Sequence, residues 1–316
     1  MNNPITVVIP NYNGAQLLHK NLPSVIAALN VYGEHSSIIV VDDGSVDDSV
    51  AVLKQEFPEV EIIIHSKNKG FAEAIHSGVK AAKTELLFLL NSDVELEPNI
   101  FAPLVTYFDD LNTFSVNPLI LDEQGVVKRH SWNLRKFVDG GLKLIDWDLE
   151  IANLRRSQGD KLATAYAHGG SFMVRKSMFL ALSGFHPIYK PFYGEDYDLG
   201  LRAWRMGWGS YFEPSVYVVH QSLGSIRSNV KLNFIKYIRR RNRYLLEWIH
   251  LSPVQLLLGA IPFSILQLLG ELITLDRVNL KGFGLALLKI AGVIKARKEL
   301  RLCQKLSIDT VLDQLK

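Results

Sequence analysis

Four groups of residues in this 316-residue chain carry side chains able to do chemistry. Asp42-Asp43-Gly44-Ser45 closes one apolar, β-branched run, and Asn91-Ser92-Asp93 closes another. A carboxylate placed directly after a buried strand is costly unless it meets a cation, a donor or a ligand. Asp42 can accept a hydrogen bond from the N3–H of uracil or thymine. Asp93 suits a magnesium- or manganese-type cation whose shell a diphosphate completes. The plainer alternative for 42–45 is a turn ahead of a helix that Asp47 or Asp48 caps, and Asp43, Gly44 and Ser45 fit it well. For Asp93 the alternative is a loop cap ahead of Pro98. Farther along, Asp198 reads as the i, i+4 partner of Arg202, which leaves Glu195-Asp196, after Gly194, as a general base on a loop. His220 ends the run 216–219; most lone histidines only pack, but one at a strand end can give a metal a nitrogen.

These groups need a scaffold that brings strand ends together. Apolar runs at 5–10, 37–42, 60–64 and 85–90 alternate with helically spaced segments at about 15–30, 47–57, 71–82 and 98–109. That rhythm predicts an α/β sheet with right-handed crossovers and buried parallel strands. Each run ends in a polar cluster: Asn11-Tyr12-Asn13-Gly14, Asp42 to Ser45, His65 to Gly70, and Asn91 to Asp93. Ligands of open parallel sheets sit at the carboxyl ends of the strands, so these clusters should line one binding edge. Beyond residue 110, runs at 115–121 and 211–220 read as strands and 173–182 as a helix, while 128–165 shows no period.

Composition narrows the classes. Apolar residues make up 48% of the chain, enough for a substantial core, and a net charge of +3 does not argue for nucleic acid. One cysteine, Cys303, excludes an intramolecular disulfide, and the N-terminus lacks the basic start and long apolar stretch of a signal peptide. A cytoplasmic catalytic part is expected.

Read in order, Val8-Ile9-Pro10-Asn11-Tyr12-Asn13, the segment 40–45, Asn68-Lys69-Gly70-Phe71-Ala72, Asn91-Ser92-Asp93, Gly169-Gly170 with Arg175-Lys176, and the segment 194–202 resemble family 2 glycosyltransferases over residues 4–225. No one motif is specific; the ordered set is. The resemblance implies an inverting enzyme with the A-type glycosyltransferase fold, a mostly parallel central sheet flanked by helices. It implies a nucleotide-sugar donor of the UDP or dTDP type and a magnesium or manganese ion. Pro10, Tyr12, Asn13, Asp42, Asn68, Gly70, Asn91 and Ser92 would line the nucleotide pocket, Tyr12 stacking on the base. Asp93 and His220 would hold the metal, Asp196 would be the general base supported by Glu195, and Gly169, Gly170 and Arg202 would belong to the donor and acceptor loop. Asn91 departs from the Asp-x-Asp pattern that usually holds the metal, an amide being the weaker oxygen donor.

The chain divides at about residue 228 into a catalytic domain, with donor half 1–110 and acceptor half 111–228, and a helical tail. The tail opens on a basic segment (Lys231, Lys236, Arg239, Arg240, Arg241, Arg243) and continues into residues 251–270, which carry no charge. That length approaches a bilayer span, but Pro253, Pro262, Gln255 and Gln267 count against one. Leu280, Phe283, Leu287, Ile290 and Ile294 form a stripe that suits a helix lying in an interface. The expected arrangement is peripheral or monotopic, at the inner membrane face, with a glycan or lipid-linked acceptor for cell-surface polysaccharide; a soluble helical subdomain is the alternative. The basic stretch and apolar tail also resemble the bacterial rhamnosyl- and galactofuranosyl-transferase-like branch. A dinucleotide oxidoreductase would need G-x-G-x-x-G after the first strand, which is absent. A nucleotidyltransferase would need a Gly-rich loop and a basic residue there. A non-catalytic, membrane-attached nucleotide-binding scaffold is the competing reading, favoured only by Asn91.

Overall fold

The computed structural model describes residues 3–33, 35–221, 231–274 and 277–315. The polar run Ser222-Leu223-Gly224-Ser225 and the expected boundary at 228 lie outside the described residues.

Strands β1 (Ile5–Asn11), β2 (Ser37–Asp42), β3 (Glu61–Ile64) and β4 (Leu86–Leu90) pair in parallel in the order β3-β2-β1-β4. Leu87, Phe88 and Leu89 of β4 are fully buried, a transfer worth about 1.5–3 kcal/mol per side chain. The edge strand β3 is only half-buried, so of the four runs it alone lacks cover on both faces. Helices α1 (Ala15–Tyr32), α2 (Ser49–Glu56) and α3 (Phe71–Ala81) make the crossovers. Helix α1 buries Leu18, Leu22, Val25 and Leu29, one stripe at i, i+4, i+7 and i+11, and ends where Gly33 turns left-handed and donates to the Leu29 carbonyl. The segment expected helical to 109 shortens to α4 (Phe101–Val105) followed by a 3₁₀ turn, Thr106–Asp109.

The rest of the sheet is mixed. After β4 come β5 (Val94–Leu96) and β6 (Thr113–Leu121), then a separate hairpin, β7 (Arg135–Val138) with β8 (Gly141–Leu144). The irregular stretch between 128 and 165 thus holds this hairpin, α5 (Leu149–Ser157) and β9 (Leu162–Ala163). β10 (Ser171–Arg175) lies antiparallel between β4 and β6, and β11 (Gly209–His220) runs parallel to β6. This corrects the expected helix at 173–182: Met173 to Arg175 are strand, and only α6 (Lys176–Ala181) is helical. A short apolar run fits either period, and here pairing on both sides decides for the strand.

One apolar core covers the α1 and α4 face of the sheet and another the α3 and α6 face. A third joins α7 (Glu195–Arg205) to the tail helices α8 (Leu232–His250), α10 (Arg277–Leu287), α11 (Ile290–Cys303) and α12 (Ile308–Gln314). Between α8 and α10 run a capped turn, Pro253–Gln255, a π-helical turn, Leu256–Ala260, and α9 (Ile261–Thr274). The expected tail stripe is broken where α10 ends. Phe283 packs edge-on against Tyr244 and Trp248, whereas Leu287, Ile290 and Ile294 are exposed.

Candidate active site

The carboxyl ends of β1, β2 and β3 are joined by hydrogen bonds between their polar clusters, and Ser92 after β4 lies close to Gly14 after β1. Asn11 donates through Nδ2 to Asp42 Oδ2 at 3.0 Å, and the Ser45 N–H donates to Asp42 Oδ1 at 2.9 Å. Asp42 is therefore buried, with the second lone pair of each oxygen left as acceptor capacity. Asn13, in left-handed backbone (φ 52°), ties the first cluster to the second through the Ser45 hydroxyl and the Val46 N–H. Pro10 is half-buried behind it, while Tyr12 (38% exposed) and Asn68 stand at the rim.

Asp43 proves more than a turn residue. Its carboxylate accepts from the Lys69 and Gly70 N–H groups, the latter at 2.7 Å, and lies 2.6 Å from His65 Nδ1. It thereby holds the loop that carries Asn68 and Gly70. Gly44 lets that loop approach: a Cβ there would stand 2.7 Å from the Lys67 carbonyl carbon. Asp47 caps across the cleft, its Oδ2 accepting from the Ala15 N–H that opens α1.

At the next strand end, β5 pairs antiparallel with the end of β11, setting His220 opposite Val94. This register brings His220 Nε2 to 3.6 Å from Asp93 Oδ1. That oxygen is buried and makes no hydrogen bond. Burial raises the Asp93 pKa, and the His220 charge opposes the rise. Asn21 of α1 pins the turn, donating to the Ser92 carbonyl and accepting from Gln221, whose N–H reaches the Asp93 carbonyl. Asn91 lies against Gly170, where a Cβ would come within 3.2 Å of its Nδ2. Among the described residues no three His, Cys, Asp or Glu side chains gather as a metal cage. The pair nevertheless fits a cation that takes part of its shell from elsewhere, because an orphaned carboxylate oxygen facing an imidazole is the donor set such an ion needs.

Glu195 and Asp196 open α7. The backbone reaches them through two left-handed residues, Tyr193 (φ 70°) and Gly194 (φ 87°), a conformation costly for a tyrosine. Asp196 is fixed by two backbone donors, the Gly169 N–H to Oδ2 at 3.1 Å and the Tyr197 N–H to Oδ1 at 2.8 Å. The glycine pair thus makes room for Asp196 and Asn91. Glu195 Oε2 is buried without a partner. Burial, then the charge of Asp196, pushes the Glu195 pKa up to about 8, and burial raises that of Asp196. Of the two, Glu195 is the carboxyl that keeps its proton at neutral pH.

Arg202 is not brought into this group. Its guanidinium donates to Asp198 Oδ2 and to the carbonyls of Leu182 and Gly184. Asp198, the expected i, i+4 partner, is also bonded by Tyr189 and by His250 at the end of α8.

Several residues at the site carry no sequence signal. His130 and His168 stack with centroids 4.4 Å apart, and His168 meets His220 edge-on at 6.3 Å. Burial, then the neighbouring histidines, pushes the pKa of His130 down to about 3; burial and His220 push that of His168 down to about 4. Both are neutral at neutral pH. Asn242 of α8 donates to the carbonyls of Tyr189, Phe192 and Tyr193, and Arg241 to those of Tyr189 and Lys190. Part of the basic segment thus clamps the loop leading to Glu195. Arg135 packs on Tyr166 and Tyr197 beside the carboxylate pair.

The family description "Glycosyl transferase family 2" matches residues 6–182, and "Glycosyl transferase family group 2" matches 137–293. The chain belongs to glycosyl transferase family 2. It is an enzyme that transfers sugars, and the scaffold reading lapses. The transferase is 24% identical over 226 residues to an N-acetylglucosaminyl-diphospho-decaprenol L-rhamnosyltransferase of Mycobacterium tuberculosis, covering 65% of this chain and 73% of the relative. An undecaprenyl-phosphate 4-deoxy-4-formamido-L-arabinose transferase of Shewanella sediminis is 28% identical over 130 residues, 40% of this chain and 37% of that protein. Among solved structures, GalNAc-T7 with UDP, GalNAc and Mn2+ superposes with a TM-score of 0.60 at 19% identity, over 79% of this chain and 48% of that one. The mannosyltransferase PcManGT from Pyrobaculum calidifontis, in complex with GDP-Man and Mn2+, gives 0.57 at 16% identity, over 100% of this chain and 85% of that one. These likenesses are of fold: the transferase has the A-type glycosyltransferase architecture with a C-terminal helical region.

Proposed function

We propose that the transferase moves a sugar from a UDP- or dTDP-linked donor to a lipid-linked or glycan acceptor of cell-surface polysaccharide, with inversion at the anomeric carbon. The observation that carries this reading is the half-buried Asp196 carboxylate, oriented by two backbone N–H groups and linked through the Gly169–Gly170 turn to Asn91, two residues from Asp93. In it, Tyr12 stacks on the base, Asp42 accepts its N3–H through a free lone pair, and Asn13, Asn68, Gly70 and Ser92 line the nucleoside pocket. Asp93 and His220 would hold a magnesium or manganese ion, with Asn91 beside them. Such an ion neutralises charge developing on the diphosphate. As an acceptor hydroxyl attacks the anomeric carbon, Asp196 takes its proton and the nucleoside diphosphate leaves from the opposite face. The base needs no high pKa, because the hydroxyl becomes acidic as its bond to carbon forms. Names among the relatives support the substrate class, since both the mycobacterial and the Shewanella protein are named for polyprenyl-linked substrates.

A thermal-shift panel with UDP, dTDP and GDP, with manganese and again with a chelator, tests the donor side. A ligand at about 100 times its Kd stabilises by roughly 2.7 kcal/mol, a rise of a few degrees. The expected result is a manganese-dependent rise with UDP or dTDP. A flat panel in folded protein would overturn the donor site.

The tail suits attachment at the inner face of the membrane, as a peripheral or monotopic segment appended to a catalytic domain ending near 228. The helical stretch Pro253–Ile273 is long and apolar enough to cross a membrane, yet its most apolar window is only 6% buried. Leu258, Leu266 and Ile273 point outward, and Lys281 and Lys295 follow on neighbouring helices. A barely buried apolar helix followed by helices with exposed lysines suits an anionic bilayer. The enzyme should float with vesicles of anionic phospholipid at low salt, and Leu258→Ser with Leu266→Ser should leave most of it at the bottom. Wild-type protein that stays unbound would exclude the attachment.

A further inference from the structure

Among the described residues Arg135 is a cation without a salt-bridge partner. It opens the β7–β8 hairpin with its guanidinium between two tyrosine faces, 4.9 Å from the Tyr197 ring centroid and 5.7 Å from that of Tyr166. One amino group donates to the Tyr166 hydroxyl at 3.2 Å and, at the limit of a hydrogen bond, to Asn133 Oδ1 at 3.4 Å. Its Nε is buried and makes no hydrogen bond, and neither does the hydroxyl of Tyr197. Arg156, Arg202 and Arg243 each pair with a carboxylate, whereas Arg135, like the buried Arg205 and Arg241, enters no ion pair among the described residues. A buried charge left with unused donors is costly unless something else completes its shell.

Its position says what that would be. Tyr197 follows Asp196 directly, and the charge of Asp196 bears on Arg135. On its other side the hairpin rests on the apolar helix. Gly140 is pressed against Phe263, Gly259 against Phe137, and Lys143 lies over the Phe263 ring. Arg135 therefore stands between the exposed apolar helix and the carboxylate pair, and not at the β1–β4 edge where the donor lies in the reading above.

We propose that Arg135 forms an acceptor subsite, its guanidinium binding the phosphate that links the acceptor sugar to a lipid while the sugar hydroxyl reaches Asp196. The planar fork of an arginine matches phosphate oxygens, and two tyrosine faces hold the fork in place. The subsite rests on the transferase reading, and it assigns the acceptor a phosphate rather than a neutral glycan.

The test titrates the full chain with dodecyl phosphate in chelator, where cation-dependent donor binding is silent. Dodecyl glucoside and inorganic phosphate serve as the neutral and lipid-free arms. Arg135→Gln should weaken dodecyl phosphate by about tenfold, the worth of a charge-assisted hydrogen bond, and leave dodecyl glucoside unchanged. Arg135→Lys, which keeps the charge and most of the packing, should fall between the two and covers the case in which the glutamine variant does not fold. Dodecyl phosphate bound equally by wild type and a folded variant would overturn the subsite. Inorganic phosphate bound as tightly as dodecyl phosphate, with the same dependence on Arg135, would overturn the link to lipid. The UDP and manganese shift, run on the same protein, reports the donor site separately: if it is retained while the Arg135 effect is missing, only the subsite falls.

Discussion

Asp196→Asn should lower kcat by about 10²- to 10⁴-fold, the usual worth of a positioned general base, and leave the UDP or dTDP thermal shift within a degree of wild type. The substitution keeps size and shape. It does not keep the full hydrogen-bond set, because both carboxylate oxygens accept backbone N–H groups and an amide offers only one acceptor. The unchanged donor shift therefore serves as the control that the pocket is intact. Turnover at the wild-type rate would remove Asp196 from the role of base. The pH profile is part of the same expectation. Burial raises the Asp196 pKa, so the acid limb of kcat/KM should fall above the ordinary carboxylate value of about 3.9. Glu195, pushed up to about 8, is protonated at neutral pH and loses its proton as the medium turns alkaline. A second negative charge then appears beside the base, and an alkaline limb should follow. Glu195→Gln mimics the protonated form, so it should keep most of the activity and abolish that limb; an alkaline limb that survives would place its origin elsewhere.

How much of this could be read from residue order depends on whether the cause is local. The β1 to β4 half is local: each strand is an apolar run, each ends in a polar cluster, and each crossover helix carries a 3.6-residue stripe. Asp93 stands out because a carboxylate at the end of a buried run is conspicuous, whereas His220 alone reads as a packing residue and gains a metal role only from the family resemblance; the pairing of β5 with β11 joins the two across more than a hundred residues. Met173 to Arg175 were misread because a strand of five residues leading directly into a helix shows the same apolar density as one longer helix. Asp43 fits a turn so well that its grip on the Lys69 and Gly70 N–H groups is hidden; His65 and Gly70 belong to the next polar cluster, but nothing in their spacing says that they meet Asp43. His130 and Arg135 belong to the stretch with no period, His168 follows just beyond it, and packing alone assembles them. Arg241 and Asn242 lie in what reads only as the basic segment that opens the tail. Only tertiary structure turns them inward.

Asp198→Ala should cost about 3–5 kcal/mol, the range for breaking a buried charge pair from one side. Asp198 is 1% exposed and accepts from Arg202 Nε at 2.6 Å, His250 Nε2 at 2.9 Å and the Tyr189 hydroxyl at 3.1 Å. Removing it strands a guanidinium and two neutral groups where water cannot replace the lost acceptor. Burial by itself would raise the carboxyl's pKa, but Arg202 and then His250 outweigh it and hold it well below the usual carboxylate range. A depressed folded-state pKa contributes stability above the unfolded value of about 3.9 and loses it as pH falls through the folded value. The gap between wild type and variant should therefore be flat with respect to Asp198 from neutral pH down to about 4 and close below that. Urea unfolding at several pH values, read as a shift in midpoint at constant slope, measures it. A loss under about 1 kcal/mol at pH 7 would mean that water or a rearranged Arg202 takes the carboxylate's place. The consequence reaches the chemistry, because the same helix begins with Glu195 and Asp196. His250 bonds that helix from the end of α8, while Asn242 and Arg241 of α8 bond the loop leading into it. The tail that carries the apolar surface is thus joined through hydrogen-bonded side chains to the proposed base, and loosening Asp198 should blunt turnover at temperatures where the variant is still folded.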